Sequence, residues 1–241
     1  MEKLIYALWR PDDMPREAFN ERLLNAVAEA LRPLVLGLRI NVQDDIVAAG
    51  TSPRFVVTQP QMEAVVQLWV ASAYPPACAA IERALAALAS RVEGWLVSES
   101  TPLANTSHPP RRGARTEGFA QVVFFERPAD MDFATWRRNW QDDHTAVAIE
   151  TQTNFEYIQN LVVRPVTPAA QPFAAIVEEC FPLAALQDQT TYFDAVGDPA
   201  RQEANYARMM ASCARFMGPA GGDCIPTSQY DIKPLFDPPA A

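Results

Sequence analysis

Hydrophobic positions along the chain follow two patterns that alternate. Residues 3–10, 35–43, 64–72 and 92–100 are short runs rich in large or β-branched apolar side chains, and they read as strands. Between the first two runs, Phe19, Leu23, Val27 and Leu31 recur every four residues, with Leu24 and Ala28 beside them. That spacing marks an amphipathic helix ending near Pro33. Asp12 or Asp13 can cap it, and Pro15 suits its first turn. A loop with Gly50, Pro53 and Pro60 follows the second strand, and an alanine-rich stretch over 75–91 predicts a second helix. The predicted order is β-α-β-β-α-β.

The same order returns further on. Residues 119–126 read as a strand, and 132–149 as a helix capped by Asp130 or Asp132. Residues 155–164 and 173–181 are strands. A loop around 187–199, including Gly197, delays the next helix to about 200–217, and a last strand falls around 225–232. Residues 104–118 lack an apolar period and hold Pro109, Pro110, Arg111, Arg112 and Gly113, so they read as a linker. A short phrase ties the halves together: Arg10-Pro11-Asp12-Asp13-Met14 is echoed by Arg127-Pro128-Ala129-Asp130-Met131, 117 positions later.

A β-α-β-β-α-β unit is the split-βαβ, ferredoxin-like motif, whose antiparallel sheet is covered by helices on one face only. The bare face needs a partner. The expected fold is therefore α+β: two tandem ferredoxin-like repeats packed sheet to sheet as a barrel within one chain. The expected organisation is a first repeat over 1–104, a linker over 105–118, and a second repeat over 119–241 that carries the active site.

Charge adds an asymmetry. The net charge is −9, and residues 1–112 hold 11 basic and 12 acidic side chains against 9 and 17 in the remainder. Nucleic-acid and anionic-membrane partners are not expected, because phosphate binding needs a basic face. Four cysteines and two histidines show no metal-ligand spacing. Cys78, Cys180 and Cys213 sit in apolar runs and read as small buried hydrophobes. The N-terminus lacks a secretory h-region, and a cytoplasmic location with reduced thiols is expected.

The chemistry points to the second half. Trp136, Trp140 and His144 share one helical face and align, at the 117-residue offset, with Phe19, Leu23 and Val27. The stripe that is wholly apolar in the first half thus ends in an imidazole in the second. An imidazole titrates near pKa ~6.5, and burial favours its neutral form, so His144 is a candidate general acid/base. Asp143 lies about 100° round the helix and reads as a surface residue. Arg10 and Arg127 end equivalent strands and suggest a shared structural task, such as pairing with a nearby acid. Tyr6, Trp9, Trp69 and Trp95 read as core or barrel lining, and His108, in the linker, as exposed.

The strand, acidic cap and F-x-x-W-x-x-x-W-x-x-x-H run from Phe133 to His144 resemble the EthD-type branch of the dimeric α+β barrel superfamily. The third strand agrees. The segment from Glu63 through Gln67 to Trp69 is similar to the family's E-L-W-F strand, and Glu178 falls at the equivalent place in the second half. The resemblance implies a pocket between the sheet and the first helix. It also implies chemistry without a metal or organic cofactor on small, largely apolar carbonyl or aromatic compounds, in aromatic catabolism or polyketide-type biosynthesis. The expected function is a lyase or isomerase that moves protons. His144 would be the general acid/base and Glu178, ranked above Glu179, its partner. Substrate-binding candidates are Trp136, Trp140, Tyr157, Asn160, Tyr206 and Tyr230. The alternatives are a non-catalytic small-ligand-binding protein and a cofactor-free monooxygenase. The expected partner is a small-molecule substrate, and association of two tandem barrels as a homodimer is open.

Overall fold

A computed structural model describes residues 1–50, 54–218 and 221–235. Pro53, assigned above to a loop, lies outside the described residues. Eight antiparallel strands close into a barrel in the order β1-β3-β2-β8-β5-β7-β6-β4. Their ranges are β1 Glu2–Trp9, β2 Gly37–Val42, β3 Ala64–Val70, β4 Arg91–Leu103, β5 Phe119–Phe125, β6 Glu156–Pro165, β7 Ala175–Phe181 and β8 Gly222–Lys233. Within each half the order is fourth, first, third, second. The edges of the two halves then pair, β2 with β8 and β4 with β6. Closure leaves no free edge among these strands, which removes the usual route to edge-to-edge aggregation.

Helices cover the outside. The first, α1, starts as Arg16–Arg22, loosens into a π-helical stretch Leu23–Val27 and continues as Ala28–Leu31. The second, α2, is Pro75–Ala86. In the second half α3 starts as Phe133–Arg137, has its π-helical stretch at Arg138–His144 and continues as Thr145–Thr151. The last, α4, is Pro199–Cys213. Both π stretches end at the aligned positions Val27 and His144. Such irregular turns are frequent at functional sites. No helix among the described residues is long and apolar enough to cross a membrane.

The duplicated phrase is a turn. Met14 N–H donates to Pro11 O at 3.0 Å, and Met131 N–H to Pro128 O at 3.1 Å. In both copies the arginine reaches forward to the methionine carbonyl, Arg10 to Met14 and Arg127 to Met131. Arg10 also pairs with Glu63 at 3.1 Å. The capping expectation needs one correction. Asp132 caps α3 by accepting from Thr135 N–H at 3.0 Å, but α1 has Pro15 at its N-cap position and no side-chain cap. Pro15 therefore precedes the first turn, with an extended ψ of 145°, and its carbonyl accepts from Phe19 N–H at 3.0 Å.

Two kinds of interior result. Under α1 and α2 the outer face of the sheet packs a continuous apolar cluster that includes Leu4, Tyr6, Leu8, Phe19, Leu23, Leu38 and Leu68. The barrel lumen is apolar at one end, with Trp9, Trp95, Phe124 and Phe173, and polar at the other. In the polar end, Arg39 pairs with Glu178 at 3.0 Å, Asp231 at 3.0 Å and Glu156 at 3.3 Å. His108 is half-buried, not exposed, because its ring packs on Phe155 with centroids 4.6 Å apart.

Candidate active site

Under α3 and α4 the packing is incomplete and leaves a cavity of about 370 Å³. That is a size that suits a small organic ligand. Its floor is the outer face of β5, β7 and β6, from Gln121, Val123, Val177, Glu179 and Tyr157. Trp140 and His144 from α3 form one wall, and Tyr206, Met209, Met210 and Cys213 from α4 form another. Tyr192 and Phe193 come from the long loop between β7 and α4, and Arg54 and Phe55 from the first half.

The aromatic wall is closely packed. Trp136 and Trp140 are wholly buried, with ring centroids 5.2 Å apart, and Trp140 meets Phe125 edge-on at 5.4 Å. Burying an aromatic of this size contributes roughly 4–6 kcal/mol. Trp136 supports Trp140 from behind and does not line the cavity.

His144 is 8% exposed. Its Nδ1 shares a hydrogen bond with Ser212 Oγ on α4 at 2.9 Å, and its ring lies 4.7 Å from Phe216. Nε2 remains as the ring nitrogen open to a ligand. Burial pushes the imidazole down to about 4, so it is neutral at physiological pH.

Glu179 is the acid on the cavity floor. Strand pairing sets Tyr157 and Gln121 directly on either side of it. Neighbours in such a row have Cβ atoms roughly 5 Å apart. Asn154 Nδ2 donates to Glu179 Oε1 at 2.9 Å, while Tyr192 Oη donates to Gln121 Oε1 at 2.8 Å. Burial raises the Glu179 carboxyl to about 7, against the pull of the Asn154 bond. The same burial, with Glu179 beside it, raises the Tyr157 phenol well above its ordinary value.

Glu178 is a correction. It occupies the opposite face of β7, inside the barrel, and does not reach His144. There it accepts from Asn41 at 2.7 Å, Gln67 at 2.9 Å, Gln229 at 2.9 Å and Arg39 at 3.0 Å. Burial pushes its carboxyl up, but Arg39 and the three amides more than offset that and hold it well below the usual range. Two further candidates fall outside the cavity. Asn160 faces the lumen and donates to Ile176 O at 3.1 Å, and Tyr230 packs against the first half's core. His144, Trp140, Tyr157 and Tyr206 do meet in the cavity. Asp143 is a surface residue as expected, paired with Arg215 at 2.7 Å. Cys78 and Cys180 are buried, whereas Cys213 and Cys224 line the cavity.

Residues missed by sequence reasoning are Gln121, Tyr192 and Arg54. The 117-residue offset could have found Gln121, since it aligns with Leu4. Among the described residues no cluster of three His, Cys, Asp or Glu side chains could hold a metal ion.

Residues 128–220 match the EthD domain. This span contains Trp140, His144 and Glu179. No curated protein matches the chain. Among solved structures, an anthrone oxidase-like protein is similar with a TM-score of 0.55 at 7% identity, over 98% of this chain and 94% of that one. A protein named "Putative monooxygenase" from Fusobacterium nucleatum subsp. nucleatum ATCC 25586 gives 0.51 at 8% identity, over 96% and 92%. At these identities the likeness is one of fold, an eight-stranded antiparallel barrel sheathed by helices.

Proposed function

We propose that the protein is an enzyme that moves a proton on a small, largely apolar carbonyl or phenolic compound bound between α3, α4 and the outer face of the second half's sheet. One observation carries this reading: His144 and Glu179 line one cavity, and the same burial moves their pKa values in opposite directions, to about 4 and about 7. Groups split in this way divide acid and base roles between them. A base acts best when its pKa lies near the working pH, which favours Glu179 as the group that takes the proton. His144, neutral and steadied by Ser212, donates from Nε2 to the substrate oxygen. The carboxylate accepts a proton from carbon or hydroxyl, the electron pair passes to that oxygen, and the imidazole N–H supports the charge. Each such contribution is worth about 10²–10⁴-fold.

The resulting enolate or phenolate can be reprotonated, eliminate a leaving group, or react with O₂. The first two outcomes define an isomerase or lyase. The third defines a cofactor-free monooxygenase, and the oxidase and monooxygenase names carried by the two structures of this fold favour testing it. The test is product analysis by mass spectrometry for a panel of aromatic ketones and phenols, including anthrone, in air and under argon. Turnover that persists under argon identifies the lyase or isomerase. Turnover only in air, with O₂ consumed in step with product, identifies the monooxygenase. Binding without turnover in either gas leaves a ligand-binding protein.

The same reading extends to the architecture. Residues 1–104 and 119–241 are two ferredoxin-like repeats joined by 105–118, fused so that one chain closes the barrel. A cytoplasmic location fits four cysteines in the reduced state.

A further inference from the structure

The first half contributes to the cavity through the segment that leads into β3. That segment is fastened to β8 by Asp223, whose buried carboxylate accepts from Val57 N–H at 3.0 Å, Thr58 N–H at 3.2 Å, Thr58 Oγ1 at 2.6 Å and Gln61 Nε2 at 3.1 Å. Phe55 O in turn accepts from Cys224 N–H at 2.9 Å and from Gln61 Nε2 at 2.7 Å. These bonds hold Arg54 at the cavity wall, close enough to Cys224 to act on its thiol.

Arg54 is exposed at the cavity rim, and among the described residues its guanidinium has no acid of its own. The carboxylate it feels is Glu63, but that group is already shared by Arg10, at 3.1 Å, and Arg16, at 3.3 Å. Among the described residues, no side chain accepts a hydrogen bond from Arg54. Partial burial and the like charge of Arg16 both weigh against its cationic form. A guanidinium so placed is compensated best by a planar anion, which it grips with two parallel N–H donors. The rest of the wall is largely aromatic and aliphatic.

We propose that the substrate is an aromatic carboxylate, with its ring among Trp140, Tyr192 and Phe216 and its carboxylate on Arg54 of the first half. This deepens the proton-transfer reading and rests on it for the cavity being the substrate site. The two halves then divide the work: the second moves the proton and the first selects the anion.

The probes are 2-naphthoate and its neutral isostere 2-naphthamide, measured by titration calorimetry on the full chain. The acid is expected to bind at least tenfold more tightly than the amide, with a margin that shrinks as salt rises. Arg54→Gln is expected to bring the acid down to the amide's affinity and leave the amide within about twofold, a shift of at least ~1.4 kcal/mol for the acid alone. Arg54→Lys should keep part of the margin. Equal affinities in the wild type, a margin that survives in Arg54→Gln, or binding of neither probe would each overturn the proposal. Proton transfer is measured separately on neutral ketones, so the two readings can fail independently.

Discussion

The two halves of the barrel carry the same scaffold and fill it differently. In the first half, Leu4 and Leu68 are cross-strand neighbours under α1. The register of the second half puts Gln121 and Glu179 at the same places. Tyr6, seated over Gly94, becomes Val123 over Cys224. A Cβ on Gly94 would lie 2.4 Å from the Tyr6 ring, so the large ring and the bare backbone depend on each other. Val27 becomes His144. Each exchange either shortens a side chain or adds a polar atom, and together they turn a filled core into a cavity with acid–base groups. Equivalent strand positions can thus build a filled core on one side of the barrel and a cavity on the other.

The predictions set one half against the other. The largest effect is expected from Leu68→Glu, which copies Glu179 into the filled half without a cavity or partner. It should cost on the order of 5 kcal/mol in urea unfolding. Next comes Arg39→Met, which strands Glu156, Glu178 and Asp231 in the lumen and should cost about 4 kcal/mol. Glu178→Gln belongs with it: stability should fall and proton transfer should hold, the reverse of Glu179→Gln.

A pH series sharpens the contrast further. The Glu179 pKa is raised to about 7, so its contribution is present below the unfolded carboxylate value and is lost as pH rises through about 7. The His144 pKa is lowered to about 4, so the folded state is weakened as pH falls from about 6.5 through 4. Each is worth on the order of 3 kcal/mol, and between roughly pH 4.5 and 6.5 they oppose each other. Wild-type stability should be flat there. Glu179→Gln should unmask a rise with pH, and His144→Val a fall, both read by denaturant midpoints. The smallest effect is expected from Val27→His, which should cost about 2 kcal/mol in the same unfolding measurement, since the first half offers that ring no counterpart of Ser212.

Most of the fold was legible in the chain. Strand runs, helical stripes and the duplicated phrase located every main element, because amphipathic period and turn chemistry are local. His144 and Trp140 were legible for the same reason, through their offset from Val27 and Leu23. Glu178 was not. A strand in a barrel sheathed by helices is buried on both faces, so the alternation of Ile176, Val177, Glu178, Glu179 and Cys180 carries no in–out signal. Gln67 lies opposite Ile5 and Glu178 opposite Val122, and both point into the lumen, where they bond to each other at 2.9 Å. Arg54 was out of reach because its place depends on long-range bonds from Asp223.

The central claim is that the cavity of the second half moves protons through Glu179 and His144. Its most direct test is deuterium uptake at the acidic C–H of anthrone in D₂O under argon, followed by NMR for the wild type, Glu179→Gln and His144→Val. The account predicts enzyme-accelerated exchange that falls at least about 100-fold in each variant while both keep their melting temperature at neutral pH. Exchange at the wild-type rate in either variant, or no acceleration by the wild type, would contradict it.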